Sequence, residues 1–135
     1  MSVSQPANYG SPENQTVLAW HDALNSGDVE RLLALSHPDV EVGGPRGSAH
    51  GARILREWVD RADIRLAPAR TFSEAGTVVV EQGAEWRSAD PGNVQTAASV
   101  FVVSDGLVTS VVRYPDLASA LRAANLDGPH EGRSG

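Results

Sequence analysis

A chain of 135 residues with a net charge of −6 and no cysteine is long enough to bury one core without covalent staples. It excludes disulfides, thiolate metal sites and a cysteine nucleophile. Its basic residues are all arginines, scattered along the chain, which speaks against a surface that tracks nucleic-acid phosphates. No stretch approaches the roughly 20 apolar residues of a membrane span, and the first residues lack a basic segment followed by an apolar one, so a cytoplasmic protein without membrane association is expected.

Residues 1–10 and 128–135 are rich in Ser, Pro, Gly and Asn and are read as disordered tails flanking a single domain over 11–127. Ser11-Pro12-Glu13 reads as a helix N-cap, a proline at the first helical position and an acid in the first turn. Val17, Trp20, His21 and Leu24 then recur at helical spacing until Asn25-Ser26-Gly27. Asp28 caps a short second helix with Val29, Leu32, Leu33 and Leu35 on its apolar face, stopped by His37-Pro38. Val40-Glu41-Val42 is a short strand. The breaker-rich segment from Gly43 to Gly47 lacks the lysine of a phosphate cradle and is read as a turn. A third helix over 52–62 turns Ile54, Leu55, Trp58 and Val59 inward.

From Ile64 the period changes to two, giving four strands at 64–72, 77–87, 95–104 and 107–114, the last two joined by the tight turn Asp105-Gly106. Asp116 starts a last helix with Leu117, Leu121 and Ala124 on one face. Helices first and strands in a run make an α+β domain of order ααβαββββα. Val100 to Val103 and Val108 to Val112 carry apolar residues at both alternate sets of positions. With helices expected on one sheet face only, Ala98, Val100, Val102, Val108, Val112 and Tyr114 form an exposed patch on the other, and a homodimer through that sheet face is expected.

Trp20-His21-Asp22-Ala23-Leu24-Asn25-Ser26-Gly27-Asp28, Leu33-Ala34-Leu35, Asp39-Val40-Glu41-Val42 and Leu55-Arg56-Glu57-Trp58 together resemble the nuclear-transport-factor-2-like (NTF2-like) superfamily, most of all its SnoaL-like and ketosteroid-isomerase branches. The resemblance runs from about Asn14 to Asn125. It implies an NTF2-like cone: a curved mixed β-sheet wrapped around a pocket, covered by three helices plus a C-terminal helix. A ketosteroid isomerase would have a tyrosine at Trp20, a general-base aspartate at Val42 and a protonated aspartic acid at Ser99. All three differ, and Val42 has no proton-accepting group.

The same register turns Val80, Gln82, Ala84 and Trp86 toward the helices, with Ala97, Ser99, Phe101, Val103, Val111 and Arg113, in agreement with alternation read alone. The expected ligand-binding residues are therefore Trp20, Val42, Trp58, Gln82, Ala84, Trp86 and Phe101, with His21, Ser99 and Arg113 as candidate catalytic residues. Arg113 either holds a ligand carboxylate or enolate, pairs with an acid such as Asp22 or Asp116, or reaches out past the sheet end. His21 is either a base at the pocket edge or a hydrogen-bonded core histidine; Glu41 is a second candidate base. His50 lies near the glycine loop, in reach of a ligand or simply solvated. The histidines are too far apart for a metal site, and no metal or other cofactor is expected.

Two functions remain in view. One is a small-molecule-binding protein or a cofactor-independent enzyme, an isomerase, dehydratase, cyclase or hydrolase acting on a carbonyl or epoxide compound, whose partner is a small apolar or weakly anionic molecule. The other is a non-catalytic dimeric interaction protein whose cone is filled by its own side chains. An open cavity of about 300 Å³ or more reaching an unpaired Arg113 separates the first from the second.

Overall fold

A computed structural model describes residues 11–44 and 47–126; both expected tails lie outside the described residues. The first helix, α1 (Pro12–Ser26), starts where the Ser11 hydroxyl accepts from the Asn14 N–H. It ends at Gly27, which adopts the left-handed conformation (φ 76°) while the Asp28 N–H reaches the Ala23 carbonyl at 2.9 Å and the Gly27 N–H reaches that of Leu24 at 3.2 Å. This is a Schellman closure. A Cβ at Gly27 would meet nothing within 4 Å, so the cost of a side chain there is purely conformational. Gly27→Ala should destabilise by about 1 kcal/mol, seen as a lower urea midpoint with an unchanged slope; an unchanged midpoint would contradict the left-handed cap.

Asp28 caps α2 (Val29–Ala34) by accepting from the Arg31 N–H. The following strand, β1 (Ser36–Gly44), is longer than the three residues expected and contains His37 and Pro38. Its parallel pairing with β6 (Leu107–Tyr114) is interrupted between Ser36 and Glu41. Pro38, which has no N–H to donate, is accommodated in that irregular stretch. The glycine segment read as a turn contributes a further strand, β2 (Gly47–His50), antiparallel to β1 with Gly44 opposite Gly47 and Glu41 opposite His50. All four β2 residues are exposed, so no alternation of apolar residues announces it.

α3 (Ala52–Ala62) follows the expected boundaries. β3 (Ile64–Glu74), β4 (Thr77–Trp86), β5 (Gln95–Ser104) and β6 complete a six-stranded mixed sheet of order β2-β1-β6-β5-β4-β3. At the far edge, Asn25 of α1 bonds both the N–H and the carbonyl of Leu66, at 2.9 and 2.8 Å. Its side-chain amide thus stands in for a missing neighbouring strand at that residue. The main core lies between the concave face of the sheet and α1 to α3, where Val17, Trp20, Leu32, Leu55, Val80, Ala84 and Phe101 are fully buried.

The expectation that helices cover only one face is corrected by α4 (Leu117–Ala123). The chain turns back after β6, and Ala120 is buried against Val79 and Ala98 on the convex face, with Val100, Tyr114, Leu117 and Leu121 packed around them. Val108 also changes sides. A register shift between Val102 and Val103 puts it in the main core, fully buried, because one extra residue in a strand reverses the facing of everything before it. Of the expected patch, Val102 is 37% exposed and Val112 is partly buried. Among the described residues no helix is long and apolar enough to cross a membrane.

Candidate functional site

The structure divides the expected site residues into two groups. Deep in the cone, the sequence has filled its own pocket. Trp20 is fully buried, its indole N–H donates to the Ser36 hydroxyl at 3.1 Å, and Ser36 in turn donates to the Leu32 carbonyl at 2.8 Å. Phe101 meets Trp20 edge-on, with ring centroids 5.2 Å apart. Ala84 is fully buried beside them.

His21, Gln82 and Ser99 form one buried chain of hydrogen bonds. The Val17 carbonyl, 2.8 Å from His21 Nδ1, can only accept, so Nδ1 carries the proton and Nε2 is left as an acceptor. Gln82 Nε2–H donates to that Nε2 at 2.8 Å, and Gln82 Oε1 accepts from the Ser99 hydroxyl at 3.0 Å. Burial pulls the His21 pKa from 6.5 down to about 4, because an imidazolium there would lose its solvation. Each member satisfies the next, as buried polar groups must. His21 and Ser99 are therefore core groups engaged with each other through Gln82, and neither lines the cleft described next.

Above this plug is a cleft of ≈ 880 Å³, open to solvent. Its lining comes from Val42, Gly43 and Gly44 of β1, Gly47, Ser48 and Ala49 of β2, Ile54, Trp58 and Arg61 of α3, Trp86 of β4 and Arg113 of β6. Of the residues expected at the site, Val42, Trp58 and Trp86 from the ligand-binding set and Arg113 from the catalytic set come together in this cleft. Arg61 was missed, although its signal was present: Ile54, Trp58 and Arg61 recur at helical spacing on one face of α3. The β2 residues carried no comparable signal.

Arg113 stands over the face of Trp86, its guanidinium carbon 5.4 Å from the ring centroid, within cation–π distance. The two acids expected as partners are engaged elsewhere: Asp22 pairs with Arg31 at 2.8 Å, and Asp116 caps α4 through the Ser119 N–H at 2.8 Å. Among the described residues, no carboxylate lies within 4.0 Å of Arg113 or of Arg61. Burial pulls the Arg113 pKa below the ordinary arginine value, with no anion among the described residues to oppose it, yet the group stays charged at neutral pH.

The remaining candidate bases face away. Glu41 accepts from the Ser110 hydroxyl at 2.9 Å, and alternation along β1 puts it on the face opposite Val42. His50, its partner across β2, is exposed on the same side. The described lining of the cleft thus holds two guanidinium groups, two indoles and one hydroxyl, and among these residues there is no carboxylate or imidazole to accept a proton. No cluster of three metal-ligating side chains occurs among the described residues.

Solved structures share this architecture. TerC, co-crystallised with polyporic acid, superposes with a TM-score of 0.71 at 22% identity over 86% of this chain and 98% of that one. An NTF2-like protein of unknown function from Cytophaga hutchinsonii gives 0.69 at 17% identity, covering 85% and 95%. A putative polyketide cyclase from Xanthomonas campestris gives 0.67 at 21%, covering 86% and 97%. At these identities the likeness is one of fold. No curated protein matches the sequence. The family model for the SnoaL-like domain matches residues 17–111, which takes in both the buried plug and most of the cleft, and the chain belongs to that family.

Proposed function

We propose that the protein binds a small, flat, largely apolar molecule in the cleft between β1, β2, α3 and Arg113. One observation carries this reading: the cleft of ≈ 880 Å³ reaches Arg113, and no described acid neutralises that arginine. A cone filled throughout by its own side chains would have closed the space. The reading fits the usual makeup of ligand sites, apolar and aromatic walls with a few convergent polar groups. TerC, which shares this fold, was co-crystallised with polyporic acid, and this supports the reading.

The chemistry this lining favours is electrostatic. Arg113 would stabilise an oxyanion developing on a bound carbonyl compound. A proton removed from the ligand would have to go to water, since no side chain of the described lining is a base. Self-association through what α4 leaves uncovered on the convex face, Val102 and Val112, belongs to the same reading.

The three indole N–H signals of the 15N-labelled protein test it. Titration with aromatic ketones, quinones and carboxylates should shift the Trp58 and Trp86 signals saturably. Trp20, whose N–H is held by Ser36, should stay in place as an internal control. Failure of Trp58 and Trp86 to move with any member of the panel would sink the proposal.

A further inference from the structure

Resting on that reading, we propose that the cleft selects a flat aromatic carboxylate, with its charged group held edge-on by Arg113 and its ring against the indoles.

The geometry comes first. The Arg113 guanidinium carbon lies 5.4 Å from the Trp86 ring centroid, and no carboxylate among the described residues comes within 4.0 Å of the group, which leaves its N–H donors to a planar partner. Two parallel N–H donors match the two oxygens of a carboxylate. The approach to those donors is kept open by a residue without a side chain: a Cβ on Gly44 would lie 3.9 Å from Arg113 Nη2, so any larger side chain there would fill the space an anion needs.

Charge points the same way. The whole chain is acidic, at −6, yet the described lining of this cleft carries two cations and no anion. Arg113 is partly buried and Arg61 is exposed at the helix end of the cleft. A partly buried guanidinium without a counter-ion is unfavourable, and an incoming carboxylate removes that penalty, whereas a neutral ligand leaves it. The walls set the rest of the molecule. Val42, Ile54, Trp58 and Trp86 offer apolar and aromatic surface, so the charge must be attached to a flat apolar body.

The test pairs 2-naphthoate with its neutral isostere 2-naphthamide in calorimetric titrations of the unmodified protein, at low and at physiological salt. Naphthoate should bind at least about tenfold more tightly, the range of a charge-assisted hydrogen-bonded pair, and should lose affinity as salt rises. Arg113→Gln should abolish most of the preference for naphthoate over naphthamide, read as the ratio of the two affinities in the same variant. Arg61→Gln should weaken naphthoate by a few-fold, as expected of an exposed charge. Equal affinities for the two probes in the unmodified protein would overturn the carboxylate assignment and leave small-molecule binding standing. Binding of neither, together with unmoved Trp58 and Trp86 signals across the wider panel, would overturn both. Because the decisive comparison uses the unmodified chain, a variant that fails to fold does not blunt it.

Discussion

Trp20→Ala should lower the unfolding free energy by about 3–5 kcal/mol, the range for deleting a large buried aromatic, and so remove a large part of the roughly 5–15 kcal/mol available to a domain of this size. The indole is fully buried. It meets His21 at 5.9 Å and Phe101 at 5.2 Å, both edge-on, and it donates to Ser36. Truncation opens a cavity in the plug of the cone and leaves Ser36 without that donor. Trp20→Phe keeps most of the apolar volume and loses the N–H, so it should cost about 1–2 kcal/mol. Urea unfolding of the two variants separates the contributions. Both should keep the indole responses of Trp58 and Trp86 to ligand while folded, because Trp20 does not line the cleft. A Trp20→Ala loss below about 1 kcal/mol would mean that the plug repacks without the indole.

The two ends of the chain's order differ in how plainly the sequence displays them. Helix α1 is legible because Ser11, Pro12 and Gly27 are local signals, each with its own physical reason at one position, and the structure uses all three. β5 and β6 have the expected boundaries, since their alternation is long and their turn, Asp105-Gly106, demands two positive φ values that this pair tolerates. β2 is not legible. Gly47 to His50 has neither apolar alternation nor strand propensity, and it is a strand because β1 presents an unpaired edge to it. Pro38 within β1 misleads for a related reason: proline signals a break in a regular ladder, and the ladder here is broken without the strand ending.

The site shows the same division at the level of single side chains. Alternation correctly turned Gln82, Ser99, Phe101 and Arg113 toward the helices, but facing inward does not say how deep. Pairing puts Ser99 opposite Arg113 on neighbouring strands, yet the short hydroxyl stays in the core and bonds Gln82, while the long guanidinium extends to Trp86. Side-chain length, acting with the bulk of Trp20 beneath, decides which member of the inward row reaches open space. The convex face was misjudged because α4 was assigned its apolar stripe, Leu117, Leu121 and Ala124, without a partner. That partner is Val79 and Ala98, which period-two alternation alone does not connect to a helix roughly 40 and 20 residues further along.

The buried histidine makes the fold acid-sensitive over a defined range. With its pKa lowered from 6.5 to about 4, His21 is neutral in both the folded and unfolded states above pH 6.5. As the pH falls from there toward 4, the unfolded chain takes up a proton and the folded chain does not, so the unfolded state binds more protons and stability declines. Below about 4 both states carry the proton and the contribution stops changing. At about 1.4 kcal/mol per tenfold change in proton affinity, the loss across this window comes to about 3 kcal/mol. His21→Gln removes the titrating group and keeps a polar side chain, so subtracting its stability curve from that of the unmodified protein cancels the carboxylates. The advantage of the unmodified protein at pH 7.5 should shrink by about 2–3 kcal/mol at pH 4. Parallel curves would show that the folded state takes up the proton without penalty. The network permits that in one way: the Gln82 amide turns over, offers its oxygen to the imidazolium and donates to the Ser99 hydroxyl, which can accept as well as donate. Ser99→Ala removes the acceptor that a turned-over amide needs, so parallel curves from that cause would separate again in the Ser99→Ala background.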